Sequence, residues 1–265
     1  MLRLLIARSG SNPNQSKAIA NQIVQAAKFD KTIVGVQGWT TSATTLNAVK
    51  ILANAHLPIV ASDTATDALT NISPYFFRIG TPSSISVPLE TTYIEKQLKS
   101  QRVVIFRDPN ETYSESASED LKQQFQKDGY QIASIEDFTT GTDAQSEQLA
   151  QHIQKVLTTY QPDLFYIATN TVGDVTTLLE TIPETAEYAD TKVFAGGAGY
   201  ELVQSETKPK GYQRLLLSSS TYPDVWSILD PEKTAPPFFR IIAQHTILVT
   251  NILVFMDIAV PTMKS

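Results

Sequence analysis

The chain alternates short apolar runs with longer segments in which apolar residues recur every three or four positions. The first pattern predicts buried strands, and the second predicts amphipathic helices. Predicted strands lie at residues 2–6, 33–36, 103–106, 164–167 and 193–195. Because helices separate these strands, we expect parallel sheets joined by right-handed crossovers. The pattern therefore predicts an α/β protein built from doubly wound parallel sheets.

Local signals mark where the predicted helices begin and end. Asn12 followed by Pro13 is typical of a helix start, and Thr142 has a glutamine three residues on, which is the capping-box spacing. Gly129 is expected just beyond the end of a helix, and Pro183 stops another. The short connections that result favour a compact alternation of strands and helices.

Two hydroxyl-rich turns follow consecutive predicted strands. Residues 38–42 read Gly-Trp-Thr-Thr-Ser, and residues 62–66 read Ser-Asp-Thr-Ala-Thr. Both turns are expected at the carboxyl edge of one parallel sheet, where open α/β folds bind ligands. Ser42 is the best candidate anchor, because helix capping needs one hydroxyl whereas Thr40, Thr41 and Ser42 supply three. The competing interpretation of the first turn is that its hydroxyls only cap a helix. The competing interpretation of the second is that it is an ordinary turn without a role in binding.

Composition is that of an ordinary globular protein. The chain has 265 residues, of which 42% are hydrophobic and 18% charged, and a net charge of −6. The acidic balance argues against a nucleic-acid partner. Cysteine is absent, and His56, His152 and His245 have no ligand-like spacing, so neither a metal nor a cofactor is predicted. No phosphate loop, dinucleotide fingerprint or nucleophile elbow occurs, so an enzyme is a weak third alternative.

The segment 33–78 resembles the branched-chain amino-acid-binding family of type I periplasmic binding proteins, the solute receptors of ABC transporters. In that family a strand ends in Val-Ile-Gly-x-x-x-Ser, and a following turn leads to Leu-Thr and Phe-Arg. The same order appears here at residues 36–42, 57–60, 69–70 and 77–78. The resemblance implies two doubly wound lobes joined by a hinge, which close on a small, amino-acid-like ligand. An ABC permease is the implied partner.

The resemblance implies ligand contacts in the first lobe. The serine at the Ser42 position binds the ligand's α-carboxylate in that family. The family's contacting threonine falls on Ala65 here, so Thr64 or Thr66 is expected to take its place. The backbone of this turn is also expected to contribute.

Further contacts are implied in the second lobe. Tyr113 follows the predicted strand 103–106, as the ligand-contacting tyrosine does in the family. Asn170 and Thr171 occupy a turn in which the family often places an aromatic ligand contact. A helix cap at Thr171 explains that turn nearly as well. Amino-acid binders in the family also place a glutamate near Ala198 to pair with the ligand ammonium. Alanine cannot do this, so an α-amino acid held in the usual way is not expected.

Lobe one is predicted to comprise residues 1–81 and 222–265, and lobe two residues 82–221. Family members begin with a strand and helix that precede the equivalent of residues 2–6, and that strand lies centrally in lobe one. Lobe one is therefore expected to be incomplete, and either rearranged or completed by a homo-oligomer. The apolar segment 247–260 suits a buried strand by its β-branched residues, but its helical spacing makes a lobe-one helix the preferred assignment.

Neither apolar segment near the chain ends has the pattern of a signal peptide or of a membrane-spanning helix. The first apolar run is short and interrupted by Arg3, unlike a signal peptide, and residues 247–260 are fewer than the ~20 needed to span a bilayer. The resemblance nonetheless implies a periplasmic or extracellular location. Two alternatives stay open: a ligand-sensing regulatory module of the same fold without transport, and a truncated paralogue that binds nothing.

Overall fold

A computed structural model of the protein describes residues 12–141, 143–219 and 252–254. These residues form two parallel sheets with helices packed against them. The first sheet has three strands in the order β1-β2-β3. Its strands are β1 (Val36–Gln37), β2 (Ile59–Ala61) and β3 (Phe76–Arg78), and they share a core with helices α1 (Pro13–Phe29) and α2 (Ser42–Asn54). We call this sheet with its helices lobe one.

The second sheet, with its helices, is lobe two. Its six strands run in the order β5-β4-β6-β7-β8-β9, and every pairing is parallel. The strands are β4 (Val103–Arg107), β5 (Ile132–Asp137), β6 (Leu164–Ala168), β7 (Lys192–Ala195), β8 (Leu215–Ser219) and β9 (Ile252–Val254). The helices are α3 (Ser83–Tyr93), α4 (Thr112–Lys127), α5 (Asp143–Tyr160), α6 (Val172–Thr181) and α7 (Gly199–Gln204). Because β5 lies on one side of β4 and β6 on the other, the strand order reverses between β4 and β6. That switch point is where doubly wound folds bind ligands.

Helices cover both faces of the six-stranded sheet, which explains why its central strands are continuously apolar. Val103 and Ile105 on β4 belong to one core with Leu121 of α4, whereas Val104 and Phe106 belong to the core on the opposite face. All five side chains are fully buried. This alternation is the period of two expected of a strand, with an apolar partner on each side.

The predicted strands of lobe two and the predicted parallel pairing are confirmed, as are the helix signals at Asn12, Gly129 and Pro183. The Asn12 side chain accepts a hydrogen bond from the Gln15 backbone N–H at 3.0 Å, so Asn12 caps α1. Gly129 follows α4 with a φ of +74°, and α6 ends ahead of Pro183. Thr142 and the predicted strand 2–6 lie outside the described residues.

The predicted strand at 33–36 is wrong over most of its length. Sheet pairing begins only at Val36, whose N–H donates to the Pro58 carbonyl at 2.8 Å, and the strand ends at Gln37. Val34 is 69% exposed. An apolar residue enters a strand only where a neighbouring strand offers its backbone, and the described neighbour begins to pair at Ile59.

The preferred helix at 247–260 is wrong for the residues described there. Ile252–Val254 is a strand that pairs with β8 from Leu217 onward, in the sheet of lobe two rather than in lobe one. The β-branched side chains suit the open edge of a parallel sheet, and this preference outweighs the helical spacing. The predicted lobe boundaries near residues 81 and 221 stay predictions. Among the described helices, none is long and apolar enough to cross a membrane.

Two glycines allow a matched stability test. Gly129 and Gly211 both have left-handed backbones, with φ values of +74° and +77°. Open space surrounds Gly129, whereas a Cβ at Gly211 would lie 2.6 Å from the Leu179 carbonyl oxygen. We expect Gly129→Ala to lower the free energy of unfolding by about 1–2 kcal/mol, the cost of the left-handed backbone alone.

Gly211→Ala should lower the free energy of unfolding further, because the added methyl also meets main chain that cannot rotate away. Urea unfolding followed by circular dichroism measures both variants. Equal destabilisation by the two substitutions would show that the contact with Leu179 has no energetic effect.

Candidate functional site

The two hydroxyl-rich turns meet at the carboxyl edge of the first sheet. The Thr66 backbone N–H donates to the Ser42 hydroxyl at 3.4 Å, and both residues are almost fully buried. Ser42 is the first residue of α2, which places its side chain at a helix N-terminus beside the second turn. The predicted meeting of the two turns is thus present in the fold.

The three hydroxyls of the first turn divide their roles. Thr41 is the N-cap of α2, and its hydroxyl accepts from the Thr44 N–H at 3.4 Å and pairs with the Thr44 hydroxyl at 2.7 Å. Thr40 is exposed. Capping is therefore carried out by Thr41, and the Ser42 hydroxyl is the one that faces the second turn.

Arg78 braces the second turn from the neighbouring strand β3. Its guanidinium donates to the carbonyls of Thr64 at 3.4 Å and Thr66 at 2.8 Å, and to the Thr70 hydroxyl at 2.6 Å. Burial lowers the pKa of Arg78, and the nearby Asp67 carboxylate partly offsets this. The Phe-Arg pair of the sequence motif thus fixes the shape of the turn at residues 62–66.

The remaining residues of this turn differ in whether their polar groups have hydrogen-bond partners. Thr64 is completely buried, and its hydroxyl has no hydrogen-bond partner among the described residues. The Ala65 carbonyl accepts from both the backbone N–H and the hydroxyl of Ser83, at 2.9 and 3.1 Å. Ser83 begins α3, so Ala65 anchors the chain where it crosses between the lobes.

The second turn also reaches lobe two. The Thr66 hydroxyl donates to the Ser116 hydroxyl on α4 at 3.2 Å. Asp63 lies opposite the loop that follows β7, because a Cβ built on Gly197 would be 3.8 Å from the Asp63 carboxylate. We call the region where residues 62–66, the start of α4 and residues 196–197 face one another the interlobe cleft.

Tyr113 projects from α4 toward the same loop. A Cβ on Gly196 would collide with the Tyr113 hydroxyl, so the glycine is needed for this close approach, and the Gly197 backbone hydrogen-bonds that hydroxyl. Burial first, and then the charges of Glu90 and Asp63, raise the pKa of Tyr113 far above its ordinary value. The phenol therefore stays neutral and keeps its proton for donation.

Glu90 is a buried carboxyl behind Tyr113. It accepts hydrogen bonds from the Tyr166 hydroxyl at 2.8 Å and the Ser218 hydroxyl at 2.6 Å, and thereby joins α3 to β6 and β8. Burial raises the pKa of Glu90, and the two hydrogen bonds oppose that effect. Sequence reasoning missed this residue because only the packed fold brings its two donors together.

Asn170 and Thr171 lie farther along the carboxyl edge of lobe two. The Asn170 amide donates to the Glu111 carboxylate at 3.3 Å, and the Thr140 hydroxyl bonds that of Thr171 at 2.8 Å. Thr171 is the N-cap of α6 but its side chain makes no capping bond. In the described structure no hydrogen bond links either residue to Ser42 or Thr66, so a role for them in binding stays a prediction.

The position predicted to lack the family glutamate faces away from the cleft. Ala198 is buried in the core between the sheet and α7, while Glu201 is exposed. The carboxylate that does enter the cleft is Asp63, from the other lobe. The sequence offered one signal for it, since Asp63 stands inside a turn already singled out for its hydroxyls. The described residues hold no cluster of histidine, aspartate or glutamate suited to a metal ion.

Comparisons with known proteins agree with this fold. The profile of the periplasmic binding protein family matches residues 2–235. A search of curated protein sequences returned no match. Among solved structures, a leucine-binding protein from Thermotoga maritima superposes with a TM-score of 0.66 at 18% identity, covering 89% of this chain and 61% of that protein.

Two further solved structures extend the comparison. A branched-chain amino-acid-binding protein from Streptococcus pneumoniae, in complex with isoleucine, has a TM-score of 0.66 at 17% identity, with 87% and 66% of the two chains covered. A solute-binding protein from Rhodopseudomonas palustris, in complex with 4-hydroxybenzoate, has a TM-score of 0.58 at 20% identity, with 74% and 50% covered. At such identities the likeness shows a shared fold. The chain spans about three fifths of the length of the T. maritima protein.

The titration of Glu90 predicts how the free energy of unfolding changes with pH. Its folded pKa is raised above the ordinary value of 4.5, so the folded protein keeps a proton that the unfolded chain loses as the pH rises. That difference lowers stability between the two pKa values. Glu90→Gln removes the titration, so its free energy of unfolding relative to wild type should increase from pH 4 to pH 8.

Glu90→Ala serves as the contrasting variant. It leaves the Tyr166 and Ser218 hydroxyls without their buried acceptor, and we expect a loss of about 1–3 kcal/mol at both pH values. Urea unfolding at each pH measures both variants. A Glu90→Gln difference that does not change with pH would contradict the assigned titration.

Proposed function

This chain belongs to the periplasmic binding protein family, and on that premise we propose that it is a solute receptor that binds a small polar ligand between its two lobes. The proposed function is binding and does not include catalysis. The observation that carries it is the meeting of both lobes at one turn: Thr66 bonds Ser42 in lobe one and Ser116 in lobe two. A ligand in this cleft would touch both lobes at once.

The mechanism we propose is hinge closure. The Asp67 carboxylate accepts from the Ser84 backbone N–H at 2.9 Å and from its hydroxyl at 2.7 Å, where the chain crosses into lobe two. The ligand-contacting turn and the crossing are therefore mechanically joined. A ligand that bridges the lobes stabilises the closed state by the difference between its affinities for the two states.

The ligand class we propose is an amino acid or a related small polar compound. The structural neighbours were solved with isoleucine and with 4-hydroxybenzoate, two ligands that share a carboxylate. The N-terminus of α2, with the Ser42 hydroxyl beside it, is suited to hold such a group, because helix N-termini present free N–H donors.

The setting we propose is an ABC-type uptake system, with a permease as partner and a periplasmic or extracellular location. The support for it is that the family profile is that of periplasmic binding proteins and that the neighbours include ABC transporter substrate-binding proteins. A homo-oligomer through lobe one stays a prediction.

A thermal-shift screen tests the proposal. Amino acids, amides, short peptides and aromatic acids are the probes, since a compound that binds only the native state raises the unfolding temperature. For the best hit, Ser42→Ala should weaken binding by about 1–2 kcal/mol, through loss of a hydrogen bond to a charged group. Isothermal titration calorimetry measures the affinity.

Ser205→Ala is the matched control. Its hydroxyl donates to the Thr207 carbonyl on the surface just after α7, so ligand affinity should not change. Unchanged affinity in Ser42→Ala would remove Ser42 from the site. A screen without any hit would count against the proposed function itself.

A further inference from the structure

Three acidic groups lie around the interlobe cleft. The Tyr113 hydroxyl experiences the charges of Glu90 on α3, Asp63 in the second turn and Glu111 at the start of α4, and all three raise the pKa of Tyr113. These carboxyls come from three different elements and both lobes. The fold therefore brings acidic groups from both lobes toward the place where a ligand would lie.

Two of the three carboxyls already have partners. Glu90 accepts from the hydroxyls of Tyr166 and Ser218. Glu111 caps α4 by accepting from the Ser114 N–H at 2.7 Å, and it also accepts from Asn170. Both are accounted for by the protein's own donors, so neither calls for a ligand.

Asp63 differs from the other two. No described residue forms an ion pair or hydrogen bond with its carboxylate, and Arg78 on the adjacent strand is occupied by the carbonyls of Thr64 and Thr66. The Asp63 side chain is exposed, and partial burial of its carboxyl raises its pKa. A desolvated carboxylate without a partner is unfavourable, and a cation relieves that cost.

The residue that faces Asp63 from lobe two offers no side chain that could pair with its carboxylate. The facing residue across the cleft is Gly197, which has no side chain, and a Cβ there would already come within 3.8 Å of the Asp63 carboxylate. The adjoining Thr64 hydroxyl is fully buried and without a partner in the described structure. Thr64 follows Asp63 directly in the chain, and a buried hydroxyl without a described partner calls for a group that would satisfy it.

We propose that the ligand carries a protonated amine and that Asp63 of lobe one is its counter-ion. The inference rests on the proposed function and specifies its ligand class. Ser42 and the N-terminus of α2 hold the ligand's anionic group, and Asp63 holds its cationic group, so both charged ends are bound by one lobe. Lobe two then closes over the ligand with the Tyr113 hydroxyl and the backbone at Gly197.

Matched probes test the requirement for an amine. L-leucine carries both charged groups, 3-methylbutylamine lacks the carboxylate, and 4-methylpentanoate lacks the amine. L-tyrosine, tyramine and 3-(4-hydroxyphenyl)propanoate form the same series with an aromatic side chain. Any other hit of the thermal-shift screen is paired with its analogue that lacks the amine. Calorimetry on the full chain should show that removing the amine weakens binding by about tenfold or more.

Asp63→Asn tests the counter-ion itself, with Asp190→Asn as an isosteric control on the exposed surface of lobe two. We expect Asp63→Asn to weaken amine-containing probes by about tenfold to a hundredfold, the effect of losing a hydrogen bond between charged groups. Its affinity for amine-free probes should be unchanged or higher. Asp190→Asn should match wild type throughout, and thermal unfolding verifies that both variants fold.

The outcomes separate this inference from the function on which it rests. If amine-free probes bind as tightly as their amino counterparts, or if Asp63→Asn behaves like Asp190→Asn, Asp63 is not the counter-ion, although the chain is still a receptor. If 4-hydroxybenzoate is the tightest ligand, the amine requirement is overturned in the same way. If no probe in the wider screen binds, the proposed function fails and the inference fails with it.

Discussion

The hydrogen bonds of Arg78 determine how the edge of lobe one is built. A guanidinium has several donors in one plane, and here they join two carbonyls of the second turn and the hydroxyl of Thr70. With its carbonyls bound from behind, the turn presents the Thr66 N–H to Ser42 and the Thr66 hydroxyl to Ser116. Among the described residues, the same arrangement leaves the Asp63 carboxylate without a cationic partner, although Arg78 stands on the adjacent strand.

That turn is also connected to the passage between the lobes. Ala65 and Asp67 accept hydrogen bonds from Ser83 and Ser84, the first residues of α3. A displacement of the turn by a ligand would therefore act directly on the segment that joins the lobes. On the far side, Glu90 ties α3 to β8, so the helix that begins at the crossing is held at a second point. Closure is consistent with rotation about the short segment before Ser83.

How far the sequence predicts the fold depends on whether local or distant residues decide each element. Strand β4 was predictable because helices cover both its faces and its residues are continuously apolar, and α1 because Asn12 and Pro13 mark its start. Residues 33–36 and 252–254 were mispredicted because in both cases the neighbouring strand sets the outcome. A hydrophobic pattern does not specify which backbone will lie beside it.

The residues of the candidate site also differ in how far the sequence predicts them. Turns that follow parallel strands lie at the same edge of a sheet, and this rule was enough to predict that Ser42 and Thr66 lie close together. The sequence placed Asp63 in a candidate turn but did not single it out, and it gave no signal for Glu90, because what distinguishes both is the presence or absence of partners across the fold. Those partners become visible only when both lobes are in place.

The buried carboxyl of Glu90 and the exposed carboxyl of Asp63 therefore have opposite physical roles. Glu90 has two hydroxyl donors and a raised pKa, so the lowest-energy state of the fold satisfies it internally. Asp63 is exposed and only partly desolvated, and it receives no donor from the described residues, so a closure that buries it further would make its charge less favourable. An empty cleft would then resist closure, and a cationic group placed beside Asp63 would remove that resistance. Under this assignment, the electrostatic cost at Asp63 is what makes closure depend on the ligand.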